Sequence, residues 1–249
     1  MDYDPIAQFY ALNYAHYTDD FEFYTRLAED YGGPVLELGA GTGRVTRAIA
    51  RRGVEVVALE PSRAMRRLGA EGTEGLPVRW IDGDMRDLDG VKQMRKYPLI
   101  IAPFNAFMHL YTVEDQDAAM AGIAKSLARG GRLAFDLYNP AHIGPQGVLQ
   151  HEGDYEGGVS VFIHQQHEAA VQSLTTHYLV DQVSPRGTLK RQTFTLTQRY
   201  FTRYELERWL RGFSFRFRLF GGFHGEPYTA EAPVMCFLAW RDEQRATSD

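Results

Sequence analysis

Three glycines at alternate positions, Gly39, Gly41 and Gly43, interrupt an apolar run in "PVLELGAGTGRV", and a helical pattern (Val45, Ala48, Ile49) begins directly behind them. Such a loop brings free backbone N–H groups to a helix start, where an anionic group is bound without any side chain. The spacing decides which ligand. A dinucleotide fingerprint, G-x-G-x-x-G, needs a third glycine where Arg44 stands, and a Walker loop needs a closing Gly-Lys-Ser/Thr that is absent. Glu37, on the run before the loop, would repel a polyphosphate by its charge. A zwitterionic cofactor fits instead, its carboxylate on the loop amides and its ammonium on nearby acceptors. Glu60 ends the next apolar run, "VEVVALEP", where a carboxylate accepts from both hydroxyls of a ribose. In "DGDMRDL", Asp84 can accept from an adenine amine while Met85 lies against the ring.

These residues fall where β-like runs end. The runs cover 34–39, 54–59, 77–82, 98–103 and 131–138, with helical stretches near 43–52, 62–69, 87–96 and 114–128 between them. Continuous apolar strands alternating with helices predict a parallel sheet covered on both faces, with ligands outside the carboxyl ends of its strands. After "YNPAHIGPQG" the rhythm changes. Residues 148–201 show no helical period, and turn signals at "HEAA" and "SPRG" divide them into three or four antiparallel strands. A capping box, Thr202 with Glu205, opens a helix over 202–212, and strands near 214–220 and 234–240 close the fold. The tail "RDEQRATSD" is expected to fray.

Four segments in order, "VLELGAGTGR", "ALEPSRAM", "DGDMRDL" and "ARGGRLAFDL", resemble class I S-adenosylmethionine-dependent methyltransferases over residues 34–138. The resemblance implies an α/β, Rossmann-like seven-stranded sheet whose last strand is antiparallel. It places the antiparallel β insert before the sixth strand, and S-adenosylmethionine as cofactor with S-adenosylhomocysteine as product. Residues 1–249 would be one such domain, with a helical amino-terminal lid at 1–30 and the insert at 145–201. The donor set it implies is Tyr10, Glu37, Gly39, Ala40, Gly41, Gly43, Arg44, Glu60, Pro61, Met65, Asp84, Met85, Pro103 and Phe104.

The acceptor side follows the fourth strand. "APFN" departs from the Asn/Asp-Pro-Pro-Tyr/Phe of enzymes that methylate nucleobases or glutamine amides, whereas "NAFMHL" is similar to a stretch of glycine N-methyltransferases and of aminosugar N-methyltransferases. This resemblance makes His109 the first acceptor-site candidate, as a base or an orienting group, with helix packing as the structural alternative. Asn105 holds either a substrate or its own loop. Tyr10, Tyr14 and Tyr17 fall at i, i+4 and i+7, one helical face. Such a stripe is core or, by the resemblance, a lid over the methyl donor, with Tyr14 on the acceptor side. Tyr10 and Tyr14 match the tyrosines of a "Y-D-x-x-Y" segment of aminosugar enzymes, with Ala11 in place of the aspartate.

Composition narrows the partners. A formal net charge of −5 over 249 residues gives no footprint for a nucleic acid, and Arg44, Arg47, Arg51 and Arg52 have the spacing of a solvated helix face. The acidic, aromatic start and the lack of a long apolar run predict a cytoplasmic protein with no membrane partner. His164, His167 and His177 lie in the insert with Tyr178 and Arg199, without a recognisable metal-ligand spacing. They face solvent, a second subunit of a homodimer, or a substrate, and no metal is expected. Cys236, the lone cysteine, reads as a buried thiol. The expected activity is methyl transfer to a small molecule, at an amine nitrogen. The alternatives are methylation of a carboxylate or hydroxyl oxygen, and a protein that binds S-adenosylmethionine without turnover.

Overall fold

The computed structural model describes residues 3–89 and 96–241. A single 3-10 turn, Asp4–Ile6, leads into helix α1 (Ala7–Asn13), and α2 (Phe21–Tyr31) follows. Then come β1 (Val35–Leu38), α3 (Arg44–Ala50), β2 (Val56–Leu59), α4 (Arg63–Gly72), β3 (Val78–Ile81), β4 (Tyr97–Ala102), α5 (Val113–Ser126) and β5 (Leu127–Tyr138). Four strands form the insert: β6 (Leu149–Tyr155), β7 (Val159–Glu168), β8 (Ser173–Val183) and β9 (Leu189–Arg199). Helix α6 (Arg203–Gly212), β10 (Phe215–Phe220) and β11 (Val234–Arg241) complete the described chain.

Seven strands make one sheet in the order β10-β11-β5-β4-β1-β2-β3, and β11 alone runs opposite to the other six. The insert is a separate antiparallel sheet, β6-β7-β8-β9. All four residues of β1 and of β2 are buried, as a parallel strand covered on both faces requires. Successive side chains point to opposite faces, so Leu36, Leu38 and Ile100 pack with α5 and α6 residues (Met120, Ile123, Leu206, Leu210). Val35, Leu99 and Ile101 pack with α2 and α3 residues (Tyr24, Leu27, Val45, Ile49) on the other side. A third cluster, centred on Val161, Ile163, Tyr178, Val180 and Leu196 of the insert, takes in Tyr3 and Phe9. The amino-terminal segment is therefore gripped between the insert and the main sheet.

The expected helix near 87–96 falls largely on residues 90–95, which, like the tail after Arg241, lie outside the described residues; a 3-10 turn, Met85–Asp87, precedes them. Two details differ from the sequence expectations. Strand β5 begins at Leu127 rather than 131, because Tyr97 pairs with Leu127 before the register shifts. The tyrosine stripe is not one helical face. Helix α1 ends at Asn13, Tyr14 is its C-cap, and Tyr17 sits in the turn beyond it. The cause is tertiary: Arg44 donates to the Tyr17 carbonyl at 3.0 Å and to both Asp20 carboxylate oxygens at 2.5 and 2.6 Å, which anchors the chain away from the helix axis.

Candidate active site

A cavity of about 310 Å³ opens above the carboxyl ends of β1, β2 and β3, within the usual size of a small-ligand site. Gly39 and Gly41 form its floor, both at positive φ (67° and 57°), a region glycine enters at no steric cost. A Cβ at Gly41 would meet nothing within 4 Å and would project into the open space. Glu60 is fixed at the cavity edge, one oxygen accepting from Gly41 N–H at 2.9 Å and the other from Ser62 N–H at 2.8 Å. Each oxygen keeps a second lone pair for a ligand hydroxyl. Burial raises the Glu60 pKa against those two bonds. Pro61, Met65 and Met85 supply apolar wall, and Asp84 lines the far end.

Asp84 is already engaged: Arg86 donates to it through its backbone N–H and Nε at 2.9 Å and a terminal nitrogen at 2.6 Å. Burial pushes the Asp84 carboxyl up, but the Arg86 bonds and charge outweigh it and hold the pKa below its ordinary value. Arg86 itself lines the cavity, a residue the sequence reading passed over.

Beneath the loop, Glu37, Ala40, Arg44 and Pro103 border a small recess of about 40 Å³ that shares Tyr10, Gly39, Gly41 and Phe104 with the larger cavity. Glu37 is buried and accepts from Thr46 Oγ1 at 2.6 Å. Desolvation raises its pKa to about 8, so the ligand-free protein holds it neutral at pH 7. The expectation that its charge repels a polyphosphate is corrected accordingly. Two other expectations change. Gly43 does not border the cavity: it caps α3, and a Cβ there would lie 2.9 Å from Trp80 Cζ2. Its absent side chain makes room for an indole. Arg44 spends its guanidinium on Asp20 and on the rings of Tyr17, Phe21 and Phe104, and so ties the amino-terminal segment to the glycine loop.

A second cavity, about 360 Å³, lies between the main sheet and the insert. It meets the first along one wall, since Tyr3, Tyr10, Phe104 and His109 line both. Tyr14 and Tyr17 pack on Phe104 from this side, at ring separations of 4.9 and 5.0 Å. His109 Nε2 is 2.8 Å from the Tyr3 hydroxyl, and its Nδ1 is buried without a hydrogen-bond partner among the described residues. Desolvation lowers the His109 pKa to about 4. Burial therefore weighs against the expected role as a base, because the proton of an ammonium would have to move onto a desolvated imidazole of lower pKa.

Phe104 and Asn105 both stand at positive φ (53° and 66°), a conformation that is strained for non-glycine residues and clusters at functional sites. The end of β5 holds them there. Asp136 Oδ1 accepts from Phe104 N–H at 2.8 Å, the Asp136 carbonyl accepts from Asn105 N–H, and Asn105 Oδ1 accepts from Tyr138 N–H at 2.6 Å. Of the two readings left open for Asn105, its side-chain carbonyl thus serves the loop. Asp136 also accepts from the Tyr24 hydroxyl at 2.6 Å, and burial raises its pKa to about 6.

Tyr3, Asp20, Arg86, Asp136 and Glu152 were not read from the sequence. Asp136 alone carried a signal, an acid within the apolar run "GRLAFDLY". Of the insert candidates, Tyr178 lines the second cavity, whereas His164, His167, His177 and Arg199 line neither. His167 meets the Tyr200 hydroxyl, His177 meets Thr195, and Arg199 pairs with Glu205. Among the described residues, no group of three or more His, Cys, Asp or Glu side chains is placed to hold a metal ion. No described helix is long and apolar enough to cross a membrane.

Residues 35–131 match the family model of the methyltransferase domain. An uncharacterised methyltransferase of Geobacillus kaustophilus is 36% identical over 124 residues, 48% of this chain and 55% of the relative, so the chain spans about half the length of that protein. The cypemycin N-terminal methyltransferase of a Streptomyces species is 28% identical over 213 residues, 84% of each chain. An amino pentose methyltransferase of Micromonospora echinaspora, solved with S-adenosylmethionine bound, superposes with a TM-score of 0.76 at 21% identity, over 94% of this chain and 96% of that one. Residues 35–131 are therefore a methyltransferase domain, and the chain around it has the fold of the S-adenosylmethionine-dependent methyltransferases.

Proposed function

We propose that the protein transfers a methyl group from S-adenosylmethionine to a nitrogen of a small-molecule amine. One observation carries this reading: a cavity built on the glycine loop and Glu60 meets a second cavity through the wall of Tyr3, Tyr10, Phe104 and His109. A protein that only sensed the donor would have no use for the second space. The donor residues fit such a molecule. Gly41 leaves open the volume that a side chain would take, Glu60 presents free lone pairs towards ribose hydroxyls, and Met65 and Met85 offer thioethers to an adenine face. The recess at Glu37 suits the ammonium of the amino-acid end, whereas the amides of Ala40, Gly41 and Gly43 already donate to Leu59, Glu60 and Ala40 and are not the free donors expected for its carboxylate.

When bound, the donor supplies a methyl group already activated by a sulfonium, so the protein need form no covalent intermediate. The task of the chain is alignment and the exclusion of water. Holding the two partners in line supplies about 7–11 kcal/mol of a bimolecular barrier. The aromatic wall provides that geometry, and the two strained residues, fixed by Asp136 and Tyr138, aim Phe104 into it. His109 stays neutral and, with its Nε2 on the Tyr3 hydroxyl, forms part of the wall that the acceptor meets.

The test has two stages. Calorimetric titration with S-adenosylmethionine, NAD and ATP is expected to show one-to-one binding of the first alone. A tritiated-methyl screen over amines, amino acids, aminosugars and carboxylates then identifies the acceptor. Tight NAD binding with no response to S-adenosylmethionine would overturn the donor reading, and label confined to carboxylates or hydroxyls would overturn the amine.

A further inference from the structure

The charges that line the second cavity are one-sided. Asp136 and Glu152 face it, and none of its described lining residues is a lysine or an arginine. The Arg44 guanidinium, behind Tyr17 and Phe104, is neutralised by Asp20. Glu152, on β6, is exposed and stands at the rim, where its charge bears on the hydroxyls of Tyr14, Tyr155 and Tyr178. Those tyrosines are held in place: Tyr14 and Tyr178 hydroxyls lie 3.3 Å apart, and Tyr155 donates to Asn13 Oδ1 at 2.6 Å. Ring faces and a carboxylate without a competing cation attract a positive charge. A carboxylate entering the same space would lose its hydration and find no cationic partner.

From this arrangement we infer that Glu152 is a specificity residue that admits the acceptor as a cationic amine, and that the cavity excludes acceptors bearing a carboxylate. The inference rests on the methyl-transfer reading and narrows it, because amino acids drop out as acceptors while hydroxylated and other uncharged-bodied amines remain. The recognition end and the reacting end are distinct. At the Tyr10–Phe104–His109 wall the amine is desolvated among rings and beside a neutral imidazole, which disfavours the ammonium. Its nitrogen gives up one proton to water at the rim and reaches the wall with a free lone pair.

Binding of matched probes tests this apart from turnover. Cyclohexylamine, cyclohexanecarboxylate and aminocyclohexanecarboxylate are titrated calorimetrically into the protein with and without S-adenosylhomocysteine, at pH 7. The amine is expected to bind and the other two not. Glu152→Gln should weaken the amine about fivefold, the scale of a partly exposed ion pair, with the affinity for S-adenosylhomocysteine unchanged. Glu152→Lys should let the carboxylate-bearing probes bind. Equal binding of amine and zwitterion by the wild type, an amine affinity unmoved by Glu152→Gln, or no binding of the amine in either state would overturn the inference. Failure of S-adenosylhomocysteine to bind would instead overturn the donor reading, which the amine titration without it does not touch.

Discussion

Donor binding at neutral pH should expel a proton from Glu37, and the number can be worked from the structure. With a pKa of about 8 in the ligand-free protein, the carboxyl is about nine-tenths protonated at pH 7. An ammonium brought within about 4–6 Å lowers a carboxyl pKa by about 1–3 units. The bound value is then about 5–7, and between about 0.4 and 0.9 proton leaves per donor bound. The same coupling makes donor affinity rise with pH from the bound value, about 5–7, up to about 8 and level off once Glu37 is ionised beforehand. Calorimetry at pH 7 in buffers of different ionisation enthalpy counts the protons directly. The α-amino group of the donor, with a pKa near 8, also titrates in this range, so the decisive comparison is with Glu37→Gln. That variant should bind the donor more weakly at pH 7, by about 0.4–2.7 kcal/mol after allowing for the protonation of Glu37 in the free protein, and should lose the release. An identical proton count in wild type and Glu37→Gln would show that the ammonium does not meet this carboxyl, and the placement of the amino-acid end in the recess would fall.

Four further outcomes follow from the same geometry. Glu60→Ala should weaken donor binding by about 1.5–3 kcal/mol, the scale of hydrogen bonds to a charged group, as read by titration. Gly43→Ala should lower stability by about 1–2 kcal/mol or more, through its positive φ and its clash with Trp80, whereas Gly41→Ala should cost donor affinity as well, and denaturant melts beside titrations separate the two. His109→Ala and Tyr3→Phe should raise the acceptor KM while leaving donor affinity intact. With the imidazole held near pKa 4, neither should remove a limb of the pH–rate profile near pH 6.5. Asp136 has a folded pKa of about 6, above its ordinary 3.8. Its contribution to stability is therefore fully present below about pH 4 and is lost as pH rises through 6, so Asp136→Asn should flatten the dependence of Tm on pH across that window.

The central strands of the main sheet were legible because they share one physical signature. Val56–Leu59 is apolar without a break and is buried on both faces, so the residue pattern and the burial carry the same information. Thr202 with Glu205 was legible for a local reason, since both halves of a capping box lie within one turn. Local patterns failed where a distant partner decided. A seven-residue spacing of tyrosines reads as helix until Asp20 finds Arg44 and ends it.

The two halves of the site differ in the same way, and the difference is chemical. The donor half hangs on strand ends, where a glycine or an acid has few roles besides meeting a ligand, so Gly39, Gly41 and Glu60 stood out. The acceptor half is assembled from four separated pieces: the amino-terminal segment, the loop after β4, the end of β5 and the insert. Each piece supplies tyrosines, amides or a lone acid, types that any surface carries. Glu152 is one of 32 acidic residues, and it gains meaning only when the fold sets it beside Tyr14 and Tyr178 in a space without a cation. Arg44 shows the converse. Read beside the glycines it was a donor contact, but its bidentate pairing with Asp20 makes it the tie between the donor loop and the segment that bears Tyr10 and Tyr14. Breaking that pair should loosen both halves together, lowering donor affinity and acceptor turnover in one variant, Asp20→Asn, whereas loss in the donor step alone would return Arg44 to the role its position in the sequence first indicated.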